Sequence, residues 1–394
     1  MNTEMDARLK GIVDKICPEV LGLRHHLHQN PELAGEEYQT AAFIRKTLSG
    51  TQVRVLKPFL KTDTVGILKG HKPGRNVTLR ADIDALPLLE KNTFAHVSKI
   101  KGCMHACGHD GNTAVLLGVT KVLEHFTREF CGTVRFVFQP GEEVAALGKE
   151  LVAKGALEHP RPDMVFALHG LAGAPEGVIF SRPGVMMAAV GFFKLEIRGK
   201  GAHGSRPDLA IDPILVGARV VEGLASLARE VSPFQTATLS VCRFSGGTNG
   251  NIIPDTVEIE GTVRYLDKAV GKTMTARMRK LIQGICSSMG ASCVFSYHEP
   301  YIPVVNHECA VDVGRSVAER LFGKAGWQAA KNPSMGGEDF AYYLQKHPGA
   351  LFWVGMGEKS GGLHNPHFDY NDNAIRNGIL FLAGCALEIL AEAG

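Results

Sequence analysis

Apolar residues recur at helical spacing from Leu9 through Ile12, Val13, Ile16, Val20 and Leu23 to Leu27, and the run stops at Asn30-Pro31. That pattern predicts an amphipathic helix over residues 6–29, ended where proline cannot continue it. A second helix is predicted over about 35–48, followed by short apolar strands within 53–69. Further on the texture shifts to short, strand-like segments at 76–81, 133–138, 164–168 and 351–354. Near-continuous apolar runs of that length suit strands buried on both faces, separated by helices at about 112–126 and 145–157.

Between these segments lies a stretch with a different alternation. Phe192, Phe193, Leu195 and Ile197 read as a strand, and a helix follows over 211–230 with Pro213 in its first turn, where proline is tolerated. Strands at 236–244 and 255–266, a helix at 268–289 and a strand at 291–297 complete it. The order β-α-β-β-α-β is that of a ferredoxin-like unit. The reading is an α/β chain in which residues 1–185 and 299–394 form one discontinuous domain, and residues 186–298 form an inserted second one.

Composition agrees with two domains. A chain of 394 residues exceeds what one hydrophobic core usually serves. Hydrophobic content of 45% against 21% charged residues describes a chain that folds rather than a disordered one. Net charge is +3 with the two signs interleaved, so no basic block suggests nucleic acid as a partner. The first residues lack a secretory pattern and no run approaches membrane-spanning length, so no membrane partner is expected. Nine scattered cysteines read as reduced thiols of a cytoplasmic protein.

The candidate chemistry clusters where the predicted strands end. The first such end is Asp82-Ile83-Asp84, the second Gln139-Pro140-Gly141-Glu142-Glu143, the third His169-Gly170, and the fourth leads through a glycine-rich loop to His364-Asn365-Pro366. In open α/β sheets ligands bind beyond the carboxyl ends of the strands. Met104-His105-Ala106-Cys107-Gly108-His109-Asp110 adds a thiol and imidazoles, a donor set suited to borderline-soft divalent ions such as zinc, cobalt or nickel. Each residue has a plainer reading beside this one. Glu142 and Glu143 are either a metal ligand next to a free base or two solvated loop charges. His169 is either a ligand or a satisfied core histidine, and His364 could be an ordinary loop residue. Asp82 and Asp84 alternate along an extended segment, so one can face metals while the other braces a ligating imidazole. His25, His26 and His28 read as imidazoles favoured by the negative end of a helix, not as ligands.

Taken together, seven blocks resemble the M20 peptidase family of metal-dependent amidohydrolases, on the branch with hippurate hydrolases, indole-3-acetyl-amino-acid hydrolases and N-acyl-diaminopimelate deacetylases. They are residues 79–87, 104–110, 139–143, Gly199–His203 with Asp212-Pro213-Ile214, 251–255, Gly337-Glu338-Asp339-Phe340 and Leu363-His364-Asn365-Pro366, in the family's order. The resemblance implies a zinc-peptidase-like catalytic domain with a central mixed sheet flanked by helices, and an inserted lid and dimerisation domain. It implies two divalent metal ions per subunit (manganese, zinc, nickel or cobalt) held by Cys107, His109, Glu143, His169 and His364. Glu142 matches the general base. His203 matches a histidine that reaches the partner subunit's site and stabilises the oxyanion, which implies a homodimer, or a tetramer built from it, through the lid. Asn251 and Arg264 match lid positions that meet substrate, although a structural ion pair is an equal reading of Arg264. Glu338 and Asp339 match a supporting motif.

Four positions depart from the family pattern. Asn112 stands where a second histidine is common, Gly141 replaces alanine, Gly191 replaces aspartate at the start of the lid, and Asp208 replaces histidine after Pro207. The implied reaction is cleavage of a small N-acyl amino acid by metal-activated water. A dipeptidase or carboxypeptidase acting on free peptides is the neighbouring alternative, and a metal-binding protein without catalysis the more distant one.

Overall fold

The computed structural model describes residues 3–231, 236–358 and 361–391. The chain divides into two units. One comprises Met1–Met186, Val305–Asn332 and Asp339–Gly394, and the other Met187–Val304 with Pro333–Glu338.

The first unit is built on an eight-stranded mixed sheet. Its four central strands are, in spatial order, Cys131–Gln139, Lys72–Asp82, Met164–Leu171 and Gly349–Gly355. Each pairs in parallel with the next, with Asp82 opposite Gln139, Arg80 opposite Ala167 and Trp353 opposite His169. These are the four strands expected to carry chemistry. Because they run the same way, their carboxyl ends share one edge of the sheet. Shorter strands extend the sheet on both sides, and antiparallel pairings there make it mixed. Two of these, Ile179–Ser181 and Trp327–Ala329, leave no mark in the apolar pattern, because three residues are too few to set a period.

Helices Thr3–Gln29, His109–Leu123 and Asp372–Leu390 pack on one another. The second of these is buried along its whole length except at Lys121, its polar residues included. The third corrects an expectation. Asp372–Leu390 is long and apolar enough to cross a membrane by length and composition, but most of it is buried inside the unit, where its leucines, isoleucines and Phe381 join the core. A second correction concerns the stretch 145–157. It is two short helices, Glu142–Ala145 and Leu147–Ala153, interrupted at Ala146, which adopts a positive φ of 46°.

In the second unit the sheet order is Ala237–Gly246, Thr256–Tyr265, Ala189–Arg198 and Ser292–Tyr301, all antiparallel. Helices Pro213–Val231 and Lys268–Ser288 complete the β-α-β-β-α-β order. Phe193, Leu195 and Ile197 alternate into the core against Val216, Val220, Leu224, Met274, Met278 and Ile282, while Lys194, Glu196 and Arg198 face outward. The last strand runs four residues further than its apolar run suggests, and the unit extends to Val304 and takes in 333–338, beyond the expected limits of 186 and 298. Those added residues are backbone-paired, since Ala188 N–H donates to Ser334 O at 3.0 Å and to Gly336 O at 3.1 Å.

Candidate metal centre and active site

The thiol and imidazole of the 104–110 stretch meet at the start of a helix. Gly108, at φ 88°, caps the helix His109–Leu123, so the backbone turns sharply between Cys107 and His109 and both side chains serve one locus. The strand Met164–Leu171 brings His169 to the same place, its Nε2 3.6 Å from Cys107 Sγ. His364 arrives on a loop in a left-handed conformation, φ 61°, whose backbone N–H donates to Ala106 O at 2.8 Å. Its Nε2 lies 3.3 Å from Glu143 Oε1, and His109 Nε2 lies 3.9 Å from the same oxygen. Three overlapping groups result: Cys107, His109 and His169; Cys107, Glu143 and His364; and His109, Glu142 and Glu143. In each, the candidate ligand atoms lie within 4.8 Å of one another.

The glutamates are not on a loop, as expected, but open the helix Glu142–Ala145, capped by Gly141. Successive helical residues point about 100° apart, which lets Glu143 face Cys107 and His364 while Glu142 stays beside His109. Glu142 is buried.

Asp84 braces two of the candidate ligands. Asp84 Oδ1 lies 3.1 Å from His109 Nδ1, the Asp84 backbone carbonyl lies 3.0 Å from it, and Asp84 Oδ2 accepts the Glu143 backbone N–H at 2.9 Å. When the ring is neutral and Nδ1–H donates there, His109 turns the lone pair of Nε2 toward the cluster. That nitrogen is buried without a hydrogen-bond partner among the described residues. A buried ring nitrogen left in this way costs free energy unless a cation or donor meets it, so the residues fit a metal ion. The electrostatics agree. Burial opposes charge on His109, yet Asp82, Cys107 and Asp84 hold its ring well above the ordinary histidine value, so the locus favours a positive charge. Burial, with Glu143 adding to it, pushes the Cys107 thiol well up, which a bound cation would reverse. His169 Nδ1 lies 2.9 Å from Gly170 O, which leaves its Nε2 toward Cys107.

Asp82 is nearer the cluster, with Oδ2 3.8 Å from His109 Nε2. The departure at Asn112 bears on it directly. Asn112 is buried and its Nδ2 donates to Asp82 Oδ1 at 2.8 Å. Gly141, at φ 64°, is required by its neighbour, because a Cβ there would sit 2.5 Å from Leu147 Cδ1. In the second unit a Cβ at Gly191 would meet the Tyr297 hydroxyl at 2.1 Å, so tyrosine fills the space of a longer side chain. Asp208 pairs with Arg206 within one exposed turn.

Three further expected residues lie in that second unit. His203 and Asn251 are neighbours: strands Ala202–His203 and Ile252–Ile253 pair, and Gly204 N–H donates to Asn251 O at 2.7 Å. Arg264 donates to Met335 O at 2.8 Å, a hydrogen bond rather than the ion pair weighed for it.

Several bracing residues went unnoticed in the sequence. Glu37 is fully buried; Oε1 accepts the N–H groups of Gly35 (2.8 Å) and Gly141 (2.9 Å), and Oε2 accepts the Thr62 hydroxyl (2.7 Å). Arg80 donates to Asp82 and to Asp339 at 2.7 Å each, and Gln139 Nε2 donates to both oxygens of Asp339 at 2.8 Å. The arginine was findable, as a charge inside a strand that reads as buried must have partners. The histidine cluster at 25–28 also needs correction. His28 is buried between Asp110 (2.9 Å) and Glu90 (3.2 Å), and Arg24 donates to Asp110 at 2.8 Å and contacts Asp369, so these groups form an ion network behind His109, not a helix-end charge effect.

Comparison with known proteins places this arrangement. The profile of peptidase family M20/M25/M40 matches residues 78–388. The N-acetylcysteine deacetylase of Bacillus subtilis (strain 168) is 36% identical, with 94% of this chain and 97% of the relative covered. Thermostable carboxypeptidase 2 of Saccharolobus solfataricus is 35% identical over 97% of this chain and 98% of its own. A crystal structure from Bacillus subtilis, described as a dinuclear metal-binding peptidase of the M20 family, superposes with a TM-score of 0.82 at 34% identity, covering 96% of this chain and 99% of that one. The chain therefore belongs to peptidase family M20/M25/M40.

Proposed function

We propose that the protein is a metal-dependent amidohydrolase that cleaves the amide bond of small N-acyl amino acids. The observation that carries this reading is the donor set around the buried His109 Nε2, which has no hydrogen-bond partner among the described residues, beside a buried second carboxylate on Glu142. Cys107, His109, Glu143, His169 and His364 would hold two divalent ions, of manganese, zinc, nickel or cobalt. Bound there, such ions supply Lewis acidity, lowering the pKa of water to about 7 and polarising a carbonyl.

The chain's own groups do the proton work. The Glu142 carboxylate takes a proton from the attacking water as its oxygen bonds to the acyl carbon. The same carboxyl then gives that proton to the amide nitrogen as the carbon–nitrogen bond breaks, releasing a carboxylic acid and a free amino acid. His203 donates a hydrogen bond to the carbonyl oxygen as it becomes negative. Asn251, beside His203, contacts the substrate, and Arg264 braces the loop at Met335. The second unit serves as lid and dimer interface, so that His203 acts on the partner's site. The setting is the cytoplasm, in keeping with nine free cysteines.

The test is Glu142→Gln. Turnover of N-acetyl amino acids should be lost while bound metal persists, and near-normal turnover would sink the mechanism. A fully active monomer in dilute solution would sink the dimer. The carboxypeptidase relative favours a second reading, hydrolysis of free peptides. A panel of N-acyl amino acids against dipeptides separates the two.

A further inference from the structure

His203 is held at one ring nitrogen by one residue. The Ser205 backbone N–H donates to His203 Nδ1 at 3.2 Å, and the Ser205 hydroxyl lies 2.9 Å from the same nitrogen. A peptide N–H can only donate, so Nδ1 presents its lone pair, and a neutral ring then carries its proton on Nε2. The segment around the ring is itself fixed. Gly201 N–H donates to Asp255 Oδ1 at 2.7 Å, Gly204 N–H to Asn251 O at 2.7 Å, and Arg206 N–H to His203 O at 2.7 Å. His203 is exposed and, with Ala202, Ile252, Ile253 and Asp255, lines an open concavity of about 350 Å³.

We propose that Ser205 is a positioning residue that locks His203 in its Nε2–H tautomer, so that a neutral ring presents a ready hydrogen-bond donor to the substrate's carbonyl oxygen. The other tautomer would turn a lone pair on Nε2 toward an oxygen that is gaining negative charge and would repel it. The lock removes that form without requiring the ring to be protonated. This inference rests on the reading of His203 as the oxyanion donor given above.

The experiment uses the full-length, zinc-loaded protein with ¹⁵N-labelled histidine, and long-range ¹H–¹⁵N spectra in which the His203 ring is assigned by its loss in His203→Gln. Above pH 7.5 the wild-type ring should show a protonated Nε2 and an unprotonated Nδ1. Ser205→Pro, which removes the backbone N–H together with the hydroxyl, should move both nitrogens toward the averaged shifts of mixed tautomers and lower kcat about tenfold, less than outright loss of an oxyanion donor, with KM unchanged. Ser205→Ala, which keeps the backbone N–H and loses only the hydroxyl, should stay close to wild type in both readouts. A wild-type ring protonated on Nδ1 or averaged between tautomers overturns the proposal, and so does a Ser205→Pro spectrum identical to wild type. If the spectra come out as expected but His203→Gln keeps its turnover, the oxyanion reading fails while the tautomer assignment stands.

Discussion

The Asp84 carboxylate touches both the ring of His109 and the backbone of Glu143, at 3.1 Å and 2.9 Å. One side chain thus sets the tautomer of one candidate ligand and the position of another. Asp84→Ala should weaken divalent metal binding about 10–100-fold, read by competition with a chromophoric chelator, while the far-UV spectrum stays native. Unchanged metal affinity would show that the ligands hold their places without it.

Glu37 does for the Gly141 turn what Asp84 does for His109. Burial pushes its carboxyl above the usual range even though Thr62 and two backbone N–H groups donate to it. Glu37→Ala leaves the Thr62 hydroxyl and the Gly141 N–H buried and unpaired, at a cost of about 1–3 kcal/mol each, so thermal stability and turnover should both drop. Glu37→Gln keeps an acceptor for Gly141 and should cost under about 1 kcal/mol by urea denaturation. Equal damage from both variants would mean that the charge, not the hydrogen bond, matters.

Gly141 and Leu147 should behave as a coupled pair. Gly141→Ala puts a methyl group into Leu147 and strains a left-handed backbone, together costing about 1–3 kcal/mol. Adding Leu147→Ala should return part of that cost, giving a coupling energy above about 0.5 kcal/mol in a double-mutant cycle. Strict additivity would show that the strain is in the backbone alone.

His28 makes stability depend on pH. Burial disfavours its charge, but Asp110 and Glu90 outweigh burial and push it up to about 9, against an ordinary 6.5. A group raised on folding stabilises fully below its unfolded value and loses that contribution as pH rises through its folded value. Stability should therefore fall by up to about 3 kcal/mol between pH 6.5 and 9. Denaturant melts of wild type and His28→Gln across that range check it, and parallel curves would contradict the network.

The chemistry-bearing residues were legible because they sit in short local patterns. A thiol two residues from an imidazole, paired glutamates after an apolar run, and a histidine at a strand end each announce themselves within a few positions. The β-α-β-β-α-β order was legible for the same reason, since period and turn residues are local. Boundaries were less so. Tyr301 closes a strand that its apolar run ends at 297, and the 145–157 stretch reads as one helix although Ala146 separates two short ones that begin at Glu142 and end at Ala153.

What holds the site was not legible, and the reason is separation along the chain. Arg80 pairs with Asp339 across 259 positions, Glu37 reaches Gly141 across 104, and Arg24 reaches Asp110 across 86. A charged residue in a sequence declares that it needs a partner when buried, but not which of forty acids will supply it. Only the packing of parallel strands and the helices over them brings those pairs within hydrogen-bond reach. By itself the sequence determined which atoms could bind a metal. The tertiary structure decided which of their lone pairs face one another, because ring tautomers and carboxylate directions are set by distant donors and acceptors.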